Sequence, residues 1–386
     1  MTFAAANDRG ELVVYRDDKR YLWLLTPALA LATPVSFALY FLTGKSLLTT
    51  LIPFAVIFVF IPIMDVILGE DTHNPPPEVV AGMEADPYYL RLARATVTLG
   101  WLNFVIASIW VGTQDLPWWS WVALAVGVGT AAGGGGLTVG HELGHKPDKL
   151  NKRFAFFANN IVGYGHFRIE HNRGHHTWVS TPEDPASSRY GESIYRFAAR
   201  ELPGAFHRGW ANEAERLTRA GRNVWSVENE ILQGYAFALA VALALIALLG
   251  WKILPFLVLH HFVGWYALTQ ANYVEHYGLK RQKLEDGRYE LVAPRHSWNT
   301  NHIFSNLSTF HLQRHSDHHA HPMRPYQSLR DFPDLPRLPN GYPGMFGLAA
   351  IPPLWFRVMN PRVLAWAGGD LSKVNTMPGA GPPAAK

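Results

Sequence analysis

The chain alternates between long apolar stretches and polar stretches that carry most of its histidines. Six apolar stretches are each about 20 residues long, which is enough for a helix to cross the hydrocarbon core of a bilayer. They cover residues 21–43, 47–68, 95–114, 118–140, 231–250 and 253–273. The stretches 118–140 and 231–250 contain no charged residue, which argues against core helices of a large soluble protein. The pattern therefore predicts six transmembrane helices.

Short connections join these predicted helices into three hairpins. Of the 34 lysines and arginines, only Lys45 and Lys252 lie at the hairpin tips. Because Lys and Arg accumulate on the cytosolic side of a membrane, we expect both termini and the long polar segments to be cytosolic. The first 20 residues are polar where a cleavable signal peptide would be apolar, so we expect none.

The polar segments contain four histidine motifs. These are HELGHK at 141–146, EHNRGHH at 170–176, NYVEHYG at 272–278 and LQRHSDHHA at 312–320. Residues four apart share one face of a helix, so pairs such as His141 with His145 and His171 with His175 can each chelate one ion. The first motif begins where the fourth predicted span ends, and His276 lies just beyond the sixth. We therefore predict an all-α integral membrane protein with six transmembrane helices and a cytosolic histidine-rich helical cap.

The chain contains 18 histidines and no cysteine. Thiolate zinc sites and iron–sulfur centres within this chain are thereby excluded, and any metal must have nitrogen or oxygen ligands. HELGH alone fits the HExxH motif of a membrane zinc protease, but that enzyme would leave seven motif histidines unused. A metal carrier would place its ionisable residues inside the spans, where we find only Asp65 and the pair His260 and His261. Nine motif histidines suit two ions, although imidazole accepts several metals.

The four motifs resemble the three histidine boxes and the additional histidine motif of the membrane-bound alkane 1-monooxygenases, which are related to fatty-acid desaturases and xylene monooxygenase. The resemblance extends to NPPPEVV, GYGHF, GESIYRF, RQKLEDGRYE, SLRDFPDLP and WAGGDL, and so covers most of the chain. It implies one catalytic domain over residues 1–386 in the cell inner membrane. The implied reaction is hydroxylation of the terminal methyl of a medium-chain linear alkane with O₂. A membrane desaturase or lipid hydroxylase of the same superfamily is the alternative.

The resemblance also implies a cofactor of two non-haem irons, with no catalytic residue beyond the metal ligands. The implied ligands are His141, His145, His171, His175, His176, His276, His315, His318 and His319. Two ferrous ions bound by neutral imidazoles leave about four positive charges near low dielectric, which is costly without anions nearby. We therefore expect a carboxylate of each motif to accept ligand N–H bonds, with surface ion pairs as the alternative. These carboxylates are Glu142, Glu170, Glu275 and Asp317.

A substrate slot is predicted from the run AAGGGG at 131–136, just before the first motif. Glycine has no side chain, so these positions would leave space next to the metals. Gly135 and Gly136 are the glycines of the run that lie nearest to the first motif. The alternative is that the glycines only let two membrane helices approach closely. If they form a slot, its candidate walls on the second and third spans are Ile57, Phe58, Ile61, Trp101 and Phe104.

Electrons must come from outside this chain, because it has neither a nucleotide-binding glycine fingerprint nor cysteine for an iron–sulfur centre. The resemblance implies rubredoxin, reduced by a flavin-dependent rubredoxin reductase.

A cationic run on the cytosolic face could steer this acidic partner. The run consists of Arg196, Arg200, Arg208, Arg216, Arg219 and Arg222. Residues 375–386 read as a linker or disordered tail, to which a rubredoxin domain could be fused. Membrane lipid is an expected partner and nucleic acid is not.

Overall fold

The computed structural model describes residues 1–378 and is mostly helical. One antiparallel hairpin of strands β1 (Thr2–Ala6) and β2 (Leu12–Arg16) precedes the helices, with Thr2 opposite Arg16. Gly10 turns the hairpin with a positive φ of 77°, a conformation that costs glycine nothing. Phe3 packs against the helix that begins at Pro77. The expectation of an all-α chain thus omitted one small sheet, whose short strands lie in a segment that was read only as polar.

The helices are numbered α1 to α19 in chain order. In the first half of the described chain they are α1 (Leu25–Leu29), α2 (Ala32–Thr43), α3 (Ser46–Thr50), α4 (Ile52–Ala55), α5 (Ile61–Leu68), α6 (Pro77–Ala85), α7 (Pro87–Thr113), α8 (Trp118–Ala131), α9 (Thr138–Gly144), α10 (Lys149–Asn160), α11 (Phe167–Glu170) and α12 (His176–Trp178). The second half contains α13 (Ile194–Arg219), α14 (Glu230–Leu249), α15 (Ile253–His276), α16 (Ile303–Ser308), α17 (His315–Ala320), α18 (Tyr342–Ala349) and α19 (Pro352–Trp366). Three π-helical turns interrupt longer helices, at Val56–Phe60, Ala132–Leu137 and His171–His175.

Three continuous helices among residues 1–378 are long and apolar enough to cross a membrane. They are Pro87–Thr113, Trp118–Gly144 and Glu230–Leu249. The pair Leu22–Leu29 and Ala32–Thr43, bent by 49°, makes a fourth if it counts as one span. Ile52–Leu68 is apolar but shorter, and α15 carries polar residues such as His260 and Gln270 that lower its hydropathy. The protein therefore has a mostly helical, membrane-type architecture, and the count of six spans stays a prediction.

Glycines bring α8 and its π-helical continuation against α15. A Cβ on Gly129 would lie 2.7 Å from the carbonyl oxygen of His260, and a Cβ on Gly133 would clash with the carbonyl oxygen of Gly264. Because these two contacts are backbone to backbone, any side chain would force the helices apart. The close pair continues into α9 on one side and into the last turns of α15 on the other, and these ends carry His141 and His276.

The polar segments fold into a cap around an aromatic core. Tyr273, Tyr277 and Trp355 pack in this core with ring centroids 4.9–5.4 Å apart. At the start of the predicted linker, the backbone of Asn375 bonds to Tyr190 and Gly278, so ordered chain continues past residue 374. Residues 379–386 of that predicted linker lie outside the described chain.

Candidate metal centre

All nine motif histidines lie in two adjacent clusters. The first cluster contains His141, His145, His171, His176 and His318, and the second contains His175, His276, His315 and His319. Within each cluster the potential ligand atoms lie within 4.8 Å of one another. The clusters also touch, since the rings of His176 and His319 are 4.4 Å apart between centroids. The arrangement is therefore a two-compartment site.

The distances between the ring nitrogens fit coordination of a shared metal ion. Nε2 of His176 lies 3.0 Å from Nε2 of His171 and 3.2 Å from Nε2 of His318. In the second cluster Nε2 of His319 lies 2.8 Å from Nε2 of His315. Two nitrogens bound about 2.1 Å from one ion at a right angle are about 3 Å apart, so these distances match shared coordination.

Several ring nitrogens of the site have no other partner. Nε2 of His141, His145, His175 and His276 is buried without a hydrogen bond among the described residues. Buried polar atoms are almost always satisfied, so orphan nitrogens that converge indicate a missing ligand. Burial lowers the pKa of His171, His176 and His318, and neighbouring imidazoles lower it further. These rings are therefore neutral at pH 7 with a lone pair available for a cation.

The second histidine motif divides its ligands between the two clusters because its backbone is π-helical. In an α-helix His171 and His175 would share one face, as the sequence analysis expected. The π-turn His171–His175 shifts the register by one residue, so His171 pairs with His176 in the first cluster. His175 projects into the second cluster. The predicted pairing of His171 with His175 on one ion is therefore wrong.

The other motifs keep α-helical spacing. His141 and His145, at the end of α9, both lie in the first cluster, and His315 and His319 of α17 both lie in the second. His318 is on a different face of α17 and joins the first cluster. His276 is the last residue of α15, and its Nδ1 lies 3.4 Å from the carbonyl oxygen of His296.

Asp184, which sequence reasoning missed, contacts a motif histidine directly. Its Oδ2 lies 2.9 Å from Nδ1 of His175, and both side chains are buried. The Ser187 hydroxyl and Arg208 donate hydrogen bonds to the same carboxylate at 2.6 and 2.7 Å. Burial alone would raise the pKa of Asp184, but His175 and Arg208 outweigh it and hold the pKa below its usual range. Asp184 is thus an anion that orients His175.

The four carboxylates proposed from the sequence have different surroundings. Glu142 pairs with Lys146 at 2.9 Å, and Glu170 accepts from Nε of Arg208 at 2.9 Å. Asp317 accepts from Arg324 at 2.7 Å and from the backbone N–H of Arg330 at 2.8 Å. Each of these three is therefore engaged by a cation of the cap.

Glu275 is the carboxylate that faces the ligand nitrogens. Its Oε2 lies 3.2 Å from Nε2 of His315, the nitrogen that also faces His319. Its other oxygen is buried, and Tyr342 lies beside the same carboxyl group. An oxygen at this distance from a ligand nitrogen occupies the space of a neighbouring ligand, so Glu275 offers the second cluster an oxygen donor in addition to four imidazoles.

An apolar cavity of about 130 Å³ lies between the candidate spans. Its lining includes Thr26 and Thr33 of the first two helices and Leu312 and Tyr342 of the polar segments. Tyr342 neighbours Glu275, and Leu312 lies three residues before His315. Part of the cavity lining therefore lies beside the second cluster.

The predicted slot residues separate into two groups. Ile57, Ile61, Gly135 and Gly136 line the cavity. Phe58 packs against the aromatic core of the cap, Trp101 donates its indole N–H to the carbonyl of Phe157, and Phe104 lies against the ring of His260. His260 and His261 contact each other through their Nδ1 atoms at 3.1 Å, away from the clusters.

Comparison with known proteins identifies the family. A sequence model of the fatty acid desaturase family matches residues 116–348. The chain is 51% identical to alkane 1-monooxygenase of Ectopseudomonas oleovorans, over 93% of this chain and 89% of that protein. It is 50% identical to alkane 1-monooxygenase 1 of Alcanivorax borkumensis, over 95% and 90% of the two chains. The xylene/toluene monooxygenase hydroxylase component of Pseudomonas putida is 26% identical over 60% and 61%. The resemblance carried by the histidine motifs is confirmed, and the chain belongs to the alkane 1-monooxygenase family.

Proposed function

We propose that this protein hydroxylates the terminal methyl of medium-chain linear alkanes to 1-alkanols, with O₂ as oxidant and two non-haem irons as cofactor. The observation that carries the proposal is an apolar cavity whose lining includes neighbours of the second of two adjacent histidine clusters. Membership of the alkane 1-monooxygenase family supports the same reaction. When bound, the irons supply the redox chemistry that activates dioxygen.

The nine histidines are the proposed iron ligands, five for the first ion and four for the second. Glu275 adds an oxygen donor beside His315 on the second ion. A carboxylate there offsets part of the charge of two ferrous ions, which neutral imidazoles leave uncompensated. Iron suits this set because imidazole and carboxylate together are common ligands of non-haem iron.

The protein's own residues orient the substrate and exclude water. The cavity is mainly apolar, so an alkane chain can enter it from the membrane without a solvation penalty, and we propose that the chain enters end-on. Gly135 and Gly136 leave the wall open near the metals, while Ile57 and Ile61 border it from the second predicted span. A terminal methyl then lies next to the second cluster. Positioning of this kind is the protein's contribution to a reaction whose chemistry belongs to the cofactor.

We propose that rubredoxin, either as a separate protein or fused to this chain, is the electron donor. A flavin-dependent reductase would reduce the rubredoxin. The predicted arginine run does not form a free docking patch. Five of its six members have carboxylate partners, in the pairs Arg200–Glu192, Arg208–Glu170, Arg216–Glu213, Arg219–Glu215 and Arg222–Glu228. A second candidate is a groove of about 340 Å³ whose lining carries Lys280, Arg295 and Lys373 against one carboxylate, Glu290, which pairs with Arg295 and His296. The carbonyl of His296 lies against His276, so this groove gives a short route to the second cluster.

The family, the apolar helices and the charge distribution together support a multi-pass protein of the cell inner membrane with its active site in the cytosol. The deciding experiment is product analysis with purified, iron-loaded protein, a linear alkane, rubredoxin, its reductase and NAD(P)H. We expect a 1-alkanol, and we expect no product when rubredoxin is omitted. An alkene product would instead indicate a desaturase, and turnover with NAD(P)H alone would refute the electron path.

A further inference from the structure

A second cavity, of about 470 Å³, lies between α10, α11 and the start of α14. Its lining includes three cations, Lys152, Arg153 and Arg168. Among residues 1–378, Lys152 and Arg153 have no carboxylate within salt-bridge distance, whereas Arg168 pairs with Glu230. Three cations against one carboxylate give the cavity an excess positive charge, which indicates an anionic occupant.

An aromatic wall lies below these cations. Phe156 and Phe157 line the cavity, and both stack on Phe237 of α14 with ring centroids 5.6 and 5.7 Å apart. The ring centroid of Trp101 lies 5.8 Å from that of Phe237. Only 11% of the apolar window of α14 is buried by protein, so this wall continues onto a helix surface that faces lipid in the proposed membrane arrangement. The cations therefore lie where an apolar helix enters the bilayer, at the level of the headgroups.

We propose that this cavity binds an anionic phospholipid. Its phosphate would lie among Lys152, Arg153 and Arg168, and its acyl chains would cover Phe157 and Phe237. A free phosphate would satisfy the same cations but leave the aromatic wall uncovered, so the two features together favour a lipid. Asn160 also lines the cavity, and its buried Oδ1 has no hydrogen-bond partner among residues 1–378. That oxygen can accept a hydrogen bond from a headgroup hydroxyl, which favours a glycerol headgroup.

The bound lipid would contact two of the three segments that carry the first cluster. Arg168 and Ile169 of the lining immediately precede the motif that supplies His171. Asn159, also in the lining, packs so closely on Gly140 that a Cβ there would clash with its side chain, and Gly140 precedes His141. Occupancy of the cavity should therefore stabilise the backbone at two ligand-bearing positions. This role is additional to alkane hydroxylation and depends only on the proposed membrane arrangement.

The test compares the wild-type protein with K152A/R153A and with the control R357A/R362A. Both double variants remove two exposed cations, and the control pair lies on α19, away from the cavity. The purified proteins are incorporated into nanodiscs of phosphatidylcholine with or without phosphatidylglycerol, and retained lipid is counted by native mass spectrometry. Each basic side chain near an anionic group strengthens binding about fivefold, so K152A/R153A should retain phosphatidylglycerol about thirtyfold more weakly. The control should match the wild type.

Three outcomes would overturn the proposal. The first is equal retention of phosphatidylglycerol and phosphatidylcholine by the wild type, and the second is an equal loss in both double variants. The third is displacement of phosphatidylglycerol by inorganic phosphate alone, which would assign the cations to a soluble anion. Lipid retention is measured without substrate or electron donor, so failure here leaves the proposed hydroxylation untouched. Iron content and elution volume of each variant report its folding independently.

Discussion

Oδ2 of Asp184 lies 2.9 Å from Nδ1 of His175, although nine residues separate them in the chain. Arg208, Ser187 and the backbone N–H of Ala186 hold the carboxylate in place. A carboxylate at Nδ1 requires a proton on that nitrogen, which leaves Nε2 as the lone-pair donor toward the second cluster. The contact thus selects both the tautomer and the ring orientation of one proposed ligand.

We expect Asp184→Asn to weaken iron binding about 10- to 100-fold, because the amide removes the negative charge that supports His175. Iron retention against a graded series of chelator concentrations measures the effect. Asp184→Glu should recover part of the affinity if the charge matters. Asp286→Asn, at an exposed carboxylate paired with Arg288, is the control. Unchanged iron retention in Asp184→Asn would contradict the orienting role.

The purified wild-type protein is expected to contain two irons per chain by elemental analysis. His276→Ala removes one of four histidines of the second cluster, and His141→Ala removes one of five from the first. Each change should abolish most alkane hydroxylation. His276→Ala should also lower the iron content by about one ion per chain, because three imidazoles hold an ion less firmly than four. His73→Ala, at an exposed histidine, should change neither. A single iron in the wild type would exclude the two-ion assignment.

Glu275→Gln and Asp317→Asn should have different effects. Glu275 faces Nε2 of His315, so its amide variant should lose iron affinity about 10- to 100-fold while the fold is retained. Asp317 binds Arg324 and the backbone of Arg330, so Asp317→Asn should lower the free energy of unfolding by about 2 kcal/mol. Chelator titration and thermal unfolding separate the two effects. If both variants lose iron equally, the distinction between these carboxylates fails.

Gly135→Leu should shorten the longest alkane that the enzyme accepts. A Cβ at Gly135 would meet no atom of residues 1–378 within 4 Å, and Gly135 lines the cavity, so we expect the added side chain to occupy cavity space. Each methylene of substrate that no longer fits loses about 0.8 kcal/mol of binding, or about fourfold in kcat/KM. Gly133→Ala, which would clash with the carbonyl of Gly264, should instead lower thermal stability by about 1–3 kcal/mol. An unaltered chain-length profile in folded Gly135→Leu would refute the slot.

Glu201 should make stability depend on pH. Burial raises the pKa of this carboxyl to about 7 from an ordinary value of 4.5, and the nearby carboxylate of Glu170 adds to the effect. Between pH 4.5 and 7 the folded protein keeps a proton that the unfolded chain has lost, so stability falls as pH rises. The full loss above pH 7 is about 3 kcal/mol. In Glu201→Gln the thermal unfolding midpoint should no longer show the decrease with pH that Glu201 causes. Glu285→Gln, at an exposed site, should leave that decrease unchanged.

The sequence predicted the identity of the proposed ligands better than their grouping. All nine histidines meet, and part of the reason is visible in the sequence, since His141 and His276 each lie at the end of a predicted apolar helix. Their division into five and four depends on the π-turn at His171–His175, and the i, i+4 rule assumes an α-helix. Asp184 comes from a loop eight residues beyond the nearest motif histidine, so no spacing signal marks it.

Only some of the predicted slot residues line the cavity, for a related reason. Depth along a span can be read from the sequence, and Ile57, Ile61, Gly135 and Gly136 do line the cavity. The rotation of a membrane helix about its axis is set by packing against its neighbours. Trp101 and Phe104 have the expected depth but face Phe157 and His260.

The π-turn has a mechanical consequence. Since His171 and His176 belong to one cluster and His175, between them, belongs to the other, a single turn of backbone links the two clusters at a fixed spacing. Any displacement of that segment must move histidines of both clusters together. The spacing of the two clusters is therefore a property of the backbone, and it should resist replacement of the individual side chains around it.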